Sequence, residues 1–175
     1  MISVGERALA VCVRQTGVVD LYYSQWAGSD RTVDAVFETD RAGTVSALFE
    51  TQWEYTGVGC LPAVIRTLDF LSLDILYLIS GHGVAVYLPL WLGIPTAEGD
   101  EEPATAGVLL RIHSLTDLQR LRQRIRRVKE VFGCCIELGS LTPTEARRSL
   151  LAVFGDRIPH WREASNYSGG GGLRQ

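Results

Sequence analysis

Apolar positions along the chain recur with a period of two in some stretches and of three to four in others, and the changes of period mark its elements. "RALAVCVR" (7–14) is an apolar, β-branched run, and a short "QTG" turn separates it from "VVDLYYSQW". Two such runs around a brief Gly-containing turn predict a β-hairpin. In the second arm, alternation assigns Val19, Leu21, Tyr23 and Gln25 to one face and Val18, Asp20, Tyr22, Ser24 and Trp26 to the other. Residues 31–57 carry both periods: "TVDAVFETD" alternates like a strand, while "TVSALFETQWEY" suits a short helix or a strand. "GVGCLP" reads as a turn with Pro62 opening a helix, and "PAVIRTLDFLS" places Leu61, Val64, Ile65, Leu68 and Leu71 at helical spacing.

"DILYLIS", "GHG" and "VAVYLPLWLGI" form a second hairpin, so apolar in both arms that a central place in the sheet is expected. Pro89 cannot donate to a ladder and implies a bulge or an edge position. An acidic loop (95–106) leads to the strand "GVLLRIHS", and Ser114 or Thr116 can cap the helix "DLQRLRQRIRRVKEVF". "LTPTEARRSLLAVFG" is a complete helix start: Thr142 as cap, Pro143 at the first position, Glu145 closing a capping box, with Gly155 ending the helix after Phe154. The fold class is therefore α+β, a mainly antiparallel sheet built from hairpins with helices packed on one face. Residues 1–164 are expected to form a single domain, and the Gly-rich stretch 165–175 a flexible C-terminal tail.

Composition narrows the picture. With 46% hydrophobic and 21% charged residues, the chain is an ordinary globular one, and no apolar run is long enough to span a membrane. The N-terminus lacks a basic, then apolar, secretory pattern, so a cytoplasmic location with no membrane partner is expected. Charge is unevenly placed: residues 1–110 hold 5 basic and 14 acidic residues (−9), residues 111–130 hold 7 and 2 (+5), and the remainder 5 and 4 (+1). Of the 17 basic residues, only Lys129 is lysine, a skew that points to GC-rich coding of the kind found in salt-loving archaea or actinobacteria.

Four stretches in this order, "RALAVCVRQTGVVDLYYSQWAG", "LDFLSLDILYLISGHGVAVYLPLWLG", the arginine-rich helix and "LTPTEAR", resemble an uncharacterised family of small haloarchaeal proteins. Its members begin with a hairpin ending in a Tyr-Ser-His-Trp-like signature, and the resemblance covers most of residues 7–155. Here the signature reads Tyr23-Ser24-Gln25-Trp26; glutamine keeps hydrogen-bonding reach but cannot titrate. The chain is also less acidic than a typical haloarchaeal protein, which suits a divergent relative carried by a virus or other mobile element. The resemblance implies origin and continuity of fold, and carries no activity over.

The chemistry-bearing residues form few patterns. On a helical wheel Leu118, Leu121, Ile125, Val128 and Phe132 make an apolar stripe, Arg120, Arg124 and Arg127 project opposite, and Arg122, Arg126 and Lys129 edge the stripe. The row is a solvated face pairing with acids such as Glu98, Asp100, Glu101 and Glu102, a site for an acidic protein, or a phosphate-binding surface whose affinity falls with salt. His82 in "SGHG" sits where a hairpin needs small residues anyway. Cys12, Cys60, Cys134 and Cys135 show no metal-ligand spacing, and no nucleophile motif joins a cysteine to His82, His113, Asp69 or Asp74. No catalytic, metal or cofactor residue is assigned. The expectation is a non-catalytic interaction or accessory protein that binds a protein partner or itself, with Arg120, Arg124, Arg127, Tyr22 and Trp26 as candidate partner-binding residues. A nucleic-acid-associated regulator using the arginine helix, and a hydrolase-like enzyme, are the alternatives.

Overall fold

The computed structural model describes residues 6–39, 45–46, 48–99 and 102–159. The glycine-rich tail expected from 165 onward lies outside these residues. The chain runs β1 (Ala8–Val13), β2 (Val18–Ser24), α1 (Asp30–Glu38), β3 (Glu54–Cys60), α2 (Leu61–Thr67), β4 (Ile75–Ser80), β5 (Gly83–Trp91), β6 (Gly107–Ile112), α3 (Leu115–Glu137) and α4 (Pro143–Phe154), ending in a 3₁₀ turn, Gly155–Arg157. One six-stranded sheet has the order β3-β2-β1-β4-β5-β6. Every neighbouring pair is antiparallel except β1 and β4, which run parallel at its centre. The sheet is thus two antiparallel meanders joined side by side.

That junction dictates where the helices go. β3 runs in the same direction as β4, so the chain between them must cross the sheet. The crossover is α2 with residues 68–73, and its Val64, Leu68, Phe70 and Leu73 bury Val11, Val19, Leu76, Tyr87 and Leu109 on one face. The three longer helices take the other face. There Val33 and Val36 of α1, Leu118 and Leu121 of α3, and Ala146, Leu150 and Phe154 of α4 pack on Ala8, Ala10, Ile75, Tyr77, Val86 and Leu110. The hairpin-built sheet expected from the sequence is present with its three longest helices on one face, and α2, expected as a helix, lies on the opposite face instead.

Several local expectations hold and others are corrected. Ser114 caps α3 through the Asp117 N–H at 3.1 Å, and the Thr142–Glu145 capping box is complete. Pro89 pairs with Leu109 of β6 but lies beyond Tyr87, where the β4 ladder stops, so on the β4 side it is a local edge residue. The strand-like alternation of "TVDAVFETD" is overridden: Ser29 caps the Thr32 N–H, and Val33 and Val36 meet the core one helical turn apart. α2 stops at Thr67 instead of continuing through Leu71, because the Asp69 carboxylate accepts from the Leu71 and Ser72 N–H groups at 2.9 and 3.0 Å. The Phe70 N–H meanwhile donates to Ala104 O, and Leu71 is left 59% exposed. "EYTGVGC", read as the end of one element and a turn, is the strand β3. Its glycines are poor strand formers, and it is held by the backbone ladder to β2 with a bulge at the Leu21/Tyr22 step. α4 ends at Phe154 as expected, but Gly155 keeps a right-handed conformation (φ −59°) and leads into the 3₁₀ turn.

At the centre of the sheet Tyr77 on β4 stands opposite Ala10 on β1, and both are fully buried. Small Ala8 and Ala10 leave the volume that the tyrosine ring fills. The phenol, pushed to higher pKa by burial, donates to Ala27 O at 2.7 Å in the turn after β2. The bond ties the central strand to the far end of the first hairpin. Tyr77→Phe leaves a buried carbonyl unmatched and should lower unfolding stability by about 1–2 kcal/mol, measured by denaturant titration, with little change in the slope of the transition.

Candidate functional site

β2 ends in a turn built by its own serine. Ser24 is buried, and its Oγ accepts from the Trp26 and Ala27 N–H groups at 3.3 and 3.2 Å. Gly28 donates to Glu6 O at 2.8 Å and comes so close to the 6–7 backbone that a Cβ there would lie 2.8 Å from Arg7 O. With the Tyr77 hydroxyl on Ala27 O, this turn is fixed from three sides. Yet Trp26, which it carries, is 52% exposed. A tryptophan held on an ordered backbone with half its surface in water has already lost much of the freedom that binding would otherwise remove.

Beside it, aromatic rings step from the core to the surface. Tyr77 meets Trp53 edge-on at 6.2 Å between centroids, Trp53 meets Phe49 at 5.8 Å, Phe49 meets Tyr22 at 5.9 Å, and Tyr22 meets Tyr55 at 5.5 Å. Trp53 is fixed by its indole N–H, which donates to Leu48 O at 2.9 Å. Phe49 and Tyr55 emerge at the surface, and Val58 farther along β3 is 58% exposed. Between the end of β2 and residues 52–54 lies an open cavity of about 360 Å³, with Trp26 and Trp53 as apolar walls and Gln25, Gln52 and Glu54 as polar ones. Of the two aromatic residues singled out from sequence, Trp26 points outward at this corner. Tyr22 faces the helical layer and serves as an inner ring of the series. Phe49, Trp53 and Tyr55 were missed because 31–57 carried two competing periods, and Val58 because "GVGCLP" read as a turn; the density of aromatics in "FETQWEY" was the signal available.

The arginine helix divides by geometry. Two of its three edge residues are structural: Arg122 pairs with Asp30 at 2.9 Å, and Lys129 Nζ donates to Trp91 O and Gly93 O at 2.6 and 2.7 Å with the Trp91 ring 5.0 Å away, while Arg126 is exposed. Gly133 packs so tightly on the 92–97 segment that a Cβ would stand 2.7 Å from Pro95 O. Arg120, Arg124 and Arg127 lie on the exposed side, and among the described residues none of the three forms an ion pair. Arg124 lies over the Phe154 ring of α4 at 5.3 Å, a contact that leaves its charge unneutralised. Of the acids named as partners for this row, Glu102 pairs instead with Arg147 of α4 at 2.7 Å, and Asp100 and Glu101 lie outside the described residues. At the start of α3, burial raises the Asp117 carboxyl but hydrogen bonds from Arg157 and the His113 N–H outweigh it, leaving its pKa below the usual range.

The remaining reactive groups are dispersed. His82 is exposed at the tip of the β4–β5 turn, its backbone N–H on Ser80 Oγ. Among the described residues, no hydrogen bond joins the imidazole of His82 or His113 to a cysteine or carboxylate, and no group of three or more His, Cys, Asp or Glu is placed to hold a metal. All four cysteines are free, and burial, then Asp20, raises the Cys12 thiol. No helix among the described residues is long and apolar enough to cross a membrane. Comparison with protein-family models, with curated proteins and with solved structures finds no match.

The two tryptophans of the corner should respond oppositely to truncation. Trp26→Ala should change stability by no more than about 0.5 kcal/mol. Trp53→Ala, which removes a packed ring and its hydrogen bond, should cost about 3 kcal/mol in the same denaturant titration.

Proposed function

We propose that this protein is a non-catalytic interaction module that binds a protein partner, or another copy of itself, through the aromatic corner around Trp26. The observation that carries this reading is the contrast at that corner: an exposed indole on a turn fixed by Ser24, Gly28 and Tyr77, facing Trp53 across an open cavity, with the ring series from Trp53 leading to the exposed Phe49 and Tyr55. A solvent-exposed apolar patch on rigid backbone is how buried-aromatic anchors are presented to a partner. The order of local sequence words along residues 7–155 supports a haloarchaeal or archaeal-virus origin, and Gln25 in the hairpin signature argues against acid–base chemistry at this place.

The test is affinity capture from a haloarchaeal lysate with wild-type protein, with Trp26→Ser/Tyr55→Ser, and with Arg124→Glu/Arg127→Glu. A partner retained by wild type and the arginine variant but lost from the aromatic variant is the expected result. A partner bound equally by all three would overturn the placement at this corner.

A second reading rests on a separate observation, the exposed row Arg120, Arg124 and Arg127 without ion-pair partners among the described residues. Such a row suits the phosphates of a nucleic acid. If it binds there, gel-shift affinity should fall with salt with a log–log slope near −3, from about 0.9 per neutralised phosphate. Reversal of Arg124 and Arg127 should abolish the shift. Since the Debye length is only about 3 Å at 1 M salt, this mode would be weak in a strongly saline cytoplasm.

A further inference from the structure

The two edges of the sheet differ. At β6 the 3₁₀ turn lies alongside, and Arg157 Nη1 donates to the edge carbonyl of Arg111 at 3.2 Å while also holding Asp117 at 2.7 Å. At β3 nothing among the described residues pairs with the outer side; its single ladder is to β2. Natural sheets protect such an edge with lysine, proline or inward charges. β3, "EYTGVGC", has none of these, and Glu54 at its first position is its only charge. An open, nearly uncharged edge with Tyr55 54% and Val58 58% exposed is a template for another strand.

Resting on the reading that this end of the molecule is an interaction surface, we propose that its occupant is a second copy of the chain, paired β3 to β3 about a two-fold axis at Val58. The register follows from the pleat. The ladder to β2 puts Gly57 and Gly59 opposite Leu21 and Val19, on the α2 face, and Val58 and Cys60 opposite Asp20 and Val18, on the other. In an antiparallel two-fold pair, opposed residues must share a face, so the axis passes through a residue and not between two. Centred on Val58, the pair sets valine against valine, a favourable β-branched contact, with each Gly57 opposite the other copy's Gly59. On the α2 face the two glycines add no side chains of their own to this ladder, although Val64 of α2 packs over Gly59, where a Cβ would stand 3.3 Å from its Cγ2. The two Glu54 carboxylates stand about 13 Å from the axis on opposite sides, at about 3.3 Å per residue, and do not oppose each other. α2 follows β3 directly and covers the face of Gly59 through Val64 before packing on Val11 and Val19, while the outer backbone edge of β3 carries no ladder among the described residues. Because the β6 edge is occupied, pairing through β3 closes after one addition, giving a continuous twelve-stranded sheet (twice the six of one chain) and not an open stack.

The test uses charge at the axis. Val58 is exposed in the single chain, so Val58→Lys and Val58→Glu should keep the wild-type circular dichroism, and the wild-type unfolding midpoint at dilutions where every variant is monomeric. Sedimentation equilibrium at low ionic strength should show wild type as a dimer. Each charge variant alone should associate at least about tenfold more weakly, because like charges stand directly opposed. An equimolar mixture of the two should recover a dimer carrying one copy of each, which only self-pairing at position 58 produces. Wild type that stays monomeric at high micromolar concentration would overturn the proposal, as would Val58→Lys dimerising as tightly as wild type. A monomer that still captures a Trp26-dependent partner removes the self-pairing alone; a monomer that captures none removes the interaction reading with it.

Discussion

The parallel contact between β1 and β4 is the constraint on which the rest of the structure depends. Antiparallel meanders can be made from local turns, but this one parallel pair forces a long connection, from Arg14 to Asp74, to close before it forms. The pair is specified by complementary volume: Ala8 and Ala10 on β1 beside Ile75 and Tyr77 on β4, all fully buried. A larger residue at position 10 would displace the tyrosine ring, and with it the hydroxyl that holds Ala27. The connection is pinned at its end as well, where Asp74 Oδ2 accepts the Arg7 N–H at 2.8 Å and the Asp74 N–H donates back to Arg7 O at 2.9 Å. Core packing and the geometry of the exposed Trp26 turn are therefore one mechanical unit.

The long helix α3 has a related double character. Its inner stripe lies along the sheet, and polar anchors fix its position: Arg122 to Asp30 of α1, Asp117 to Arg157, and Lys129 to the carbonyls after β5. Two of these anchors use the cations Arg122 and Lys129 at the borders of the stripe, where long stems run over apolar surface before the charge reaches a partner. The choice of lysine at position 129 fits its task, because a compact ammonium can serve two carbonyls and a tryptophan face at once. Arg120, Arg124 and Arg127 are not needed for any of this. Their exposed charge adds to the self-repulsion of the helix, a modest cost for a solvated surface and a benefit where an anion approaches.

Much of the fold was legible because the responsible interactions are local. The two hairpins, the Thr142–Glu145 capping box and the apolar stripe of α3 each follow from residues within a few positions of one another, and each is present. What was not legible depends on distant partners. α1 wins over a strand because Val33 and Val36 find the core beneath α3, and the segment after α2, turned by Asp69, is held in place by the bond from Phe70 to Ala104, 34 positions away. β3 is a strand although it contains two glycines, since the β2 ladder supplies what intrinsic preference does not. The site divides in the same way. Trp26 and the arginine row could be read directly, whereas Phe49, Trp53 and Tyr55 join Tyr22 only once residues 48–55 fold back over the sheet.

The aromatic series and the open edge bear on each other. Tyr22 and Tyr55 lie directly opposite on β2 and β3, just at the bulge where the ladder register shifts. A bulge normally twists an edge away from incoming strands and so discourages pairing. Here it falls at the N-terminal part of β3, beneath the rings, with Gly57 beside it at φ +156°, and leaves Val58–Cys60 unprotected. The bulge thus confines any added strand to the C-terminal half of β3, next to Val58, and leaves Phe49 and Trp26 outside the ladder. A strand at the edge and a partner on Trp26 would occupy adjoining surfaces without competing for the same atoms.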